Sequence, residues 1–222
     1  DNRLVLNTAL FYTEFQGFQS QAQDSTTGQF SLLNIGDVTT QGLEVDFTAL
    51  PFPNWELFGG FAYVDSEIKD LDRAPCSPAQ KVDKTGSCFV NNYQDVRGSS
   101  MPFSPELKFT LASRYTLELD MPFDLALDVS YRWQDDVMYA LDQDQNKQQD
   151  AYGILDLAVA VLDHNEHYEV NVYMENALDE DYASAIFHNN LYSNANNNSL
   201  PYDQFLAYGA ERRVGIEFRY SW

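Results

Sequence analysis

The stretch RVGIEFRYSW, residues 213–222, decides the fold because apolar and polar side chains alternate along its whole length. One face holds Arg213, Gly215, Glu217, Arg219 and Ser221. The other face holds Val214, Ile216, Phe218, Tyr220 and Trp222. A period of two predicts a half-buried β-strand rather than a helix. A one-residue shift in register would move both arginines to the apolar side, so the strand's orientation is strongly specified.

Seven further segments alternate in the same way, and with the last one they lie near residues 3–16, 37–50, 54–68, 105–119, 123–139, 150–162, 166–176 and 211–222. A soluble β-sandwich is the alternative source of such a pattern. These segments run to about 11 to 16 residues, whereas soluble strands usually have about 5 to 6. Such lengths suit tilted strands that cross a bilayer. The sequence therefore predicts an all-β, antiparallel transmembrane β-barrel segment of about eight strands.

The connections between these strands alternate between short and long. Short turns lie at residues 50–54, 120–122 and 163–166, and long ones at 17–36, 69–104, 140–149 and 177–210. Outer-membrane barrels have short periplasmic turns and long extracellular loops. This asymmetry predicts that the first strand runs outward and the last strand runs inward.

The charge of the chain excludes one class of partner. Acidic residues number 34 against 13 basic ones, which gives a formal net charge of −21. A phosphate backbone would be repelled, so no nucleic-acid role is expected. The run Asp142, Asp144, Asn146 is similar to the start of a calcium loop, but Lys147 and Gly153 replace the required glycine and glutamate. We expect a solvated acidic loop there and no metal site.

Neither a catalytic site nor a cofactor is predicted. His164 and His167 lie at a predicted periplasmic turn, and His188 lies in the last long loop without a nucleophile motif beside it. Cys76 and Cys88 share one polar stretch, and their closeness favours a loop disulfide formed in an oxidising compartment. Two unpaired surface thiols remain the alternative.

Four motifs span nearly the whole chain in a fixed order. They are Asn34-Ile35-Gly36-Asp37 with Gly42-Leu43-Glu44-Val45, then Met101-Pro102-Phe103-Ser104-Pro105, then Asn176-Ala177-Leu178-Asp179-Glu180-Asp181-Tyr182, and Glu211-Arg212-Arg213 at the start of the last strand. Together they resemble the C-terminal barrel of TonB-dependent receptors. Gly36 and Gly42 suit a bend or bulge, and Glu44 is expected to face the lumen. Ala177 departs from the commoner leucine.

The resemblance implies a 22-stranded barrel in the Gram-negative outer membrane, plugged by an N-terminal domain and energised through the TonB complex. Residues 1–222 are then the C-terminal part of the barrel, without the plug and the N-terminal strands. The apolar face of the last strand, ending in Trp222, resembles the signal read by the barrel-assembly machinery. Lipid and lipopolysaccharide are expected partners. A self-contained eight-stranded barrel with a structural or adhesive role is the alternative.

For the ligand, the resemblance implies a scarce nutrient, most directly a ferric siderophore. Arg114 and Arg132 are predicted to face the lumen, where they would meet an anionic complex. Their alternative role is to pair with Asp128 or Glu118 across neighbouring strands. The long loops offer three aromatic candidates for ligand contact, namely Tyr93, Tyr139 and Tyr192.

Overall fold

A computed structural model of the chain describes residues 3–24, 28–83, 86–165, 167–189 and 201–222. Eight long strands form one antiparallel sheet in chain order. They are β1 (Leu4–Phe15), β2 (Val38–Phe52), β3 (Trp55–Ile68), β4 (Leu107–Leu117), β5 (Phe123–Gln134), β6 (Tyr152–Asp163), β7 (Tyr168–Glu175) and β8 (Arg213–Tyr220). The eight predicted strands and their antiparallel order are confirmed.

The sheet is open at both edges. In the described ranges β1 pairs with β2 alone and β8 pairs with β7 alone, so the two outer strands do not meet. A closed eight-stranded barrel would need that pairing. Within these ranges the wall, as we call this sheet, is open and has two free strand edges.

The two faces of the wall differ as the alternation predicts. On β8 the side chains of Val214, Ile216 and Phe218 are 66%, 71% and 66% exposed. We call this apolar side the outer face and the opposite, polar side the inner face. In the part of the chain that the structure describes, no second layer of strands or helices covers either face, so backbone pairing and cross-strand contacts mainly hold the wall together.

Glycines let aromatic rings lie flat on the wall. The ring of Phe47 occupies the space beside Gly59, where a Cβ atom would stand 2.1 Å from it. Gly42 is equally close to its neighbour, but that neighbour is backbone, since a Cβ atom there would lie 2.1 Å from the carbonyl oxygen of Tyr63. By contrast, a Cβ atom at Gly60 would meet nothing closer than 4.0 Å.

The long connections are folded. Short antiparallel strand pairs join Gln19–Gln23 to Phe30–Asn34, Ala74–Pro75 to Tyr93–Gln94, Val137–Met138 to Gln148–Gln149, and Ala183–His188 to Tyr202–Leu206. Two helices, Pro78–Asp83 and Gly86–Asn91, and a 3₁₀ turn at Gln145–Lys147 complete them. The sequence predicted no helix, since six residues are too few to set up a helical period.

The predicted fifth strand, 123–139, is shorter in the structure. It ends at Gln134, because Val137–Met138 pairs with the loop segment Gln148–Gln149.

The main hydrophobic core lies where three of these loops meet the rim of the wall. Its buried members are Ala22, Ile35, Val38, Ile68, Leu71, Ala74, Val96 and Leu141. No helix in the described ranges is both long and apolar enough to span a membrane. We call the described parts of residues 17–36, 69–104, 140–149 and 177–210 the loop assembly, and the main core lies where it meets the wall.

Candidate functional site

Ion pairs cross the inner face of the wall. The register sets Arg114 opposite Asp128, and two parallel bonds join them, from Nε to Oδ1 at 2.7 Å and from Nη2 to Oδ2 at 3.0 Å. Arg132 Nη1 donates to Asp156 Oδ2 at 2.8 Å. The predicted pairing of Arg114 with Asp128 is confirmed. For Arg132 the expected partners are wrong, because Asp156 is the diagonal neighbour that the β5–β6 register brings within reach.

Further pairs extend this pattern toward β8. Arg213 lies 2.6 Å from Glu175, and Arg219 lies 3.2 Å from Glu169. A cleft of about 620 Å³ opens there, and side chains from β3 to β8 line it. Its lining is mixed, with charged residues such as Glu56 and apolar ones such as Phe58. The arginines of the wall are thus already balanced by carboxylates, and a ligand would have to displace one partner to use them.

A buried ion pair lies in the 140–149 loop. Lys147 Nζ donates to Asp142 Oδ2 at 2.7 Å, and the two side chains are 3% and 5% exposed. Asp144 is also buried and accepts bonds from the Tyr202 hydroxyl at 2.7 Å and from Asn146. The expectation of a solvated acidic loop is wrong. Lys147 neutralises one carboxylate and Tyr202 satisfies the other, so both can leave water.

The hydroxyl of Tyr202 lies beside the buried carboxylate of Asp144. Desolvation, followed by the hydrogen bond to Asp144, raises the pKa of the Tyr202 phenol. The residue stands 58 positions away from Asp144 in the chain. It therefore ties the 177–210 loop to the 140–149 loop through a neutral hydroxyl.

Other bonds join the same turn to its neighbours. Gln94 Nε2 donates to the Asp142 carbonyl at 2.7 Å, which links the 69–104 loop. The Tyr139 hydroxyl donates to the Ala183 carbonyl at 2.6 Å, and its ring is buried beside Phe103 at 5.1 Å. The 140–149 turn is the centre of the loop assembly. Tyr139 is thus in the interior rather than on a surface that meets a ligand.

The remaining aromatic candidates have different surroundings. Tyr93 lies in the 69–104 loop, five positions after the Cys76–Cys88 disulfide, whose Cα atoms are 5.7 Å apart. The guanidinium carbon of Arg73 lies 4.3 Å from the centre of the Tyr93 ring. Tyr192 lies outside the described residues. Sequence reasoning missed Arg73, because only the pairing of Ala74–Pro75 with Tyr93–Gln94 brings it beside the Tyr93 ring.

The Asn176 motif fastens the base of the last long loop. Asn176 is fully buried and its side chain bonds both the nitrogen and the oxygen of Glu180 at 2.9 Å. Asp179 Oδ1 accepts from the Arg212 backbone nitrogen at 3.3 Å. Tyr182 stacks on Tyr152 with 4.3 Å between ring centres. These residues serve loop structure, and none of them touches the inner cleft.

The first motif shapes the entry into β2. Gly36 has a φ of 73°, and a Cβ atom there would lie 2.7 Å from the Asp70 carbonyl oxygen. Asn34 Oδ1 accepts from the Gly36 nitrogen at 2.9 Å. Glu44 pairs in register with Ala9 and alternates with the outer residues of β2, which places it on the inner face.

In the described ranges no three His, Cys, Asp or Glu side chains converge as a metal site. His164 Nε2 lies 2.9 Å from Asp124 Oδ1, and His188 is buried in the loop assembly. The histidines therefore sit in structural contacts at opposite ends of the wall.

Known proteins share the sequence pattern of this chain. Residues 1–177 match the family described as TonB dependent receptor-like, beta-barrel. The catecholate siderophore receptor Fiu of Escherichia coli K12 is 30% identical over 115 residues, which cover 52% of this chain and 12% of that protein. The match to Fiu thus lies in a small part of a much longer polypeptide.

Solved structures share the fold at lower identity. The ferric yersiniabactin uptake receptor FyuA of Yersinia pestis aligns with 99% of this chain at a TM-score of 0.70 and 18% identity. The closed form of Fiu from E. coli K12 aligns with 98% at a TM-score of 0.60 and 21% identity. The chain spans 28% and 25% of these two structures.

Proposed function

This chain belongs to the TonB-dependent receptor family, and from that premise we propose that it forms the C-terminal part of an outer-membrane receptor for ferric siderophores. The single observation that carries the substrate class is the 30% identity to a catecholate siderophore receptor over 115 residues. Uptake by such a protein is transport and not catalysis.

The geometry supports a role as part of a larger wall. Both sheet edges, at β1 and β8, expose unpaired backbone groups, which a barrel satisfies by adding strands on each side. The inner face carries charged side chains on several strands, and they are paired as Arg114 is with Asp128. A wall of this kind suits a water-filled lumen or a polar domain within it.

The partners follow from the same proposal. Strands and a plug from elsewhere in the polypeptide would complete the lumen, and the TonB complex would supply energy through that plug. The outer residues of β8, with Trp222, would present the assembly machinery with an apolar C-terminal strand. The exposed outer face would contact lipid, and the rim would lie beside lipopolysaccharide.

The test is iron uptake by the complete receptor that contains this segment. It is expressed in an iron-starved Gram-negative host that lacks its own siderophore receptors. Accumulation of radioactive iron is then measured with tricatecholate, trihydroxamate and carboxylate complexes. We expect uptake of at least one complex, abolished in a matched host without tonB. Uptake of none, or uptake that persists without TonB, would overturn the proposal.

A mass measurement separates this function from a small adhesive barrel. The native polypeptide is isolated from outer membranes and identified by peptides from residues 212–222. We expect a species about three or more times heavier than the 25.4 kDa of this chain. A mature species near 25.4 kDa would favour the self-contained barrel.

A further inference from the structure

Arg73 differs from the other arginines of the loops and the later wall strands. Six of them lie within 4 Å of a carboxylate, in the pairs Arg97–Asp95, Arg114–Asp128, Arg132–Asp156, Arg212–Asp179, Arg213–Glu175 and Arg219–Glu169. Arg73 has no such partner within the ranges that the structure describes, and it is exposed. Its positive charge is therefore available to an anion from outside.

The guanidinium of Arg73 is held in place without being neutralised. It lies 4.3 Å from the centre of the Tyr93 ring, within the range of a cation–π contact. Stacking uses the flat face of the guanidinium, and the N–H donors point along its edge. The pair is thus an oriented set of donors beside an aromatic surface.

The backbone below this pair is fixed. Ala74–Pro75 pairs with Tyr93–Gln94, and Ala74 is fully buried in the core of the loop assembly. Gln94 Nε2 donates to the Pro75 carbonyl at 2.9 Å. The disulfide from Cys76 closes the segment on its other side. A site on such a frame loses little conformational freedom when a ligand binds.

Exposed apolar side chains lie in the same loop. The helix Gly86–Asn91 ends just before the strand Tyr93–Gln94 and contacts it. It carries Phe89 and Val90, which are 61% and 78% exposed. The loop therefore offers apolar surface in addition to the Arg73–Tyr93 pair.

The charge of the loop favours the same kind of ligand. Residues 69–104 contain five basic and four acidic residues, whereas the whole chain carries −21. Each of the other three long loops, 17–36, 140–149 and 177–210, has more acidic than basic residues. An anion approaching this acidic molecule is repelled least at the 69–104 loop.

We propose that Arg73 and Tyr93, together with the exposed Phe89 of the preceding helix, form a recognition subsite for an anionic ferric complex whose iron-binding groups are aromatic, of the catecholate type. The guanidinium edge donates to the negatively charged oxygens, and the rings of Tyr93 and Phe89 contact the aromatic groups. The inference rests on the proposed function. It adds the class of ligand and the loop that recognises this ligand.

The experiment compares Arg73→Gln with Arg97→Gln in the complete receptor, purified in detergent and freed of lipopolysaccharide. Both variants remove one positive charge from the same exposed loop, but Arg97 is already paired with Asp95. Dissociation constants for a ferric tricatecholate are measured by fluorescence quenching. We expect Arg73→Gln to weaken binding about tenfold or more, and Arg97→Gln to change it by less than about twofold.

Two further arms test the aromatic and anionic parts separately. Tyr93→Phe keeps the ring and should retain most of the affinity, whereas Tyr93→Leu should lose it. A neutral ferric trihydroxamate should not distinguish Arg73→Gln from the unaltered receptor. If the tricatecholate binds normally but both arginine variants behave alike, the subsite is wrong and the proposed function stands.

Lipopolysaccharide is the alternative source of an anion for Arg73. Lipopolysaccharide also presents phosphates, so its binding is measured on the same variants. A loss of lipopolysaccharide binding in Arg73→Gln, with unchanged tricatecholate affinity, would overturn the proposal. If the unaltered receptor binds no ferric complex, the proposed function fails as well, which is a different result from failure at the subsite alone.

Discussion

Two ion pairs of this chain have similar lengths and different surroundings. Arg114 and Asp128 face the inner side of the wall, with side chains 45% and 31% exposed. Lys147 and Asp142 lie inside the loop assembly, with side chains 3% and 5% exposed. The wall pair is screened by water, and the loop pair is not. The comparison indicates that the wall depends on backbone pairing, whereas the loops depend on a few buried side chains.

Breaking the buried pair should have the largest effect. Lys147→Met leaves Asp142 as an uncompensated buried charge, and loss of one partner of such a pair costs about 3–5 kcal/mol. We expect faster amide hydrogen exchange throughout the loop assembly and little change in β4 to β6. Equal protection in the variant and the parent would contradict the role of this pair.

A matched double variant sharpens that result. Asp142→Asn with Lys147→Met removes both charges and leaves two neutral groups of similar size. Replacement of a buried pair by neutral groups is much less costly than removal of one partner. Most of the exchange protection should therefore return. A double variant as open as Lys147→Met would show that packing, and not charge, holds the turn.

The wall is tested through its glycines. A Cβ atom at Gly42 would stand 2.1 Å from the Tyr63 carbonyl oxygen, so Gly42→Ala forces two paired strands apart. We expect a loss of about 1–3 kcal/mol in urea unfolding of the receptor in lipid vesicles. Gly60→Ala is the control, because nothing lies within 4.0 Å of its new atom. Similar midpoints for both variants would refute this account.

The exposed pair should matter less than either of these. Arg114→Gln removes a bidentate contact in a half-exposed place, and such pairs contribute about 0–1 kcal/mol. The unfolding midpoint should move little, and the difference from the parent should shrink in high salt. A loss as large as that of Lys147→Met would remove the distinction between wall and loops.

The smallest expected effect concerns pH at another exposed pair. Hydrogen bonds from the Arg97 side chain and backbone lower the pKa of Asp95 to about 2. A carboxyl group whose pKa is lowered by folding contributes stability at pH values above its ordinary pKa. That contribution is lost as the pH falls through about 2. Arg97→Gln should raise the Asp95 midpoint toward its ordinary value, as read from its carboxyl carbon resonance. An unchanged midpoint would contradict this.

The same contrast explains how much the sequence could predict. The wall strands follow from alternation, a local signal, and the predicted 54–68 segment became Trp55–Ile68. The buried turn does not follow from local pattern, because Tyr202 reaches Asp144 from 58 residues away. The pairing of Arg132 with Asp156 needed the register between two strands as well as their existence.

The candidate site divides along the same line. Tyr93 was identified from its loop position, but its partner Arg73 appears only once the strands Ala74–Pro75 and Tyr93–Gln94 are paired. For Arg114 the sequence left two roles open, ligand contact or pairing with Asp128, and the register decides for the pairing. Sequence pattern gives the face of a side chain, and three-dimensional pairing decides whether its charge is free.

The disulfide has a consequence for biogenesis. Cys76 and Cys88 are only 12 positions apart, so an oxidising compartment can close the bond before any wall strand has formed. In an outer-membrane receptor of the kind proposed, the 69–104 loop would then cross the nascent barrel with a covalent ring two chains wide, not as a single thread. The opening through which the loop passed would have to be wide enough for that ring.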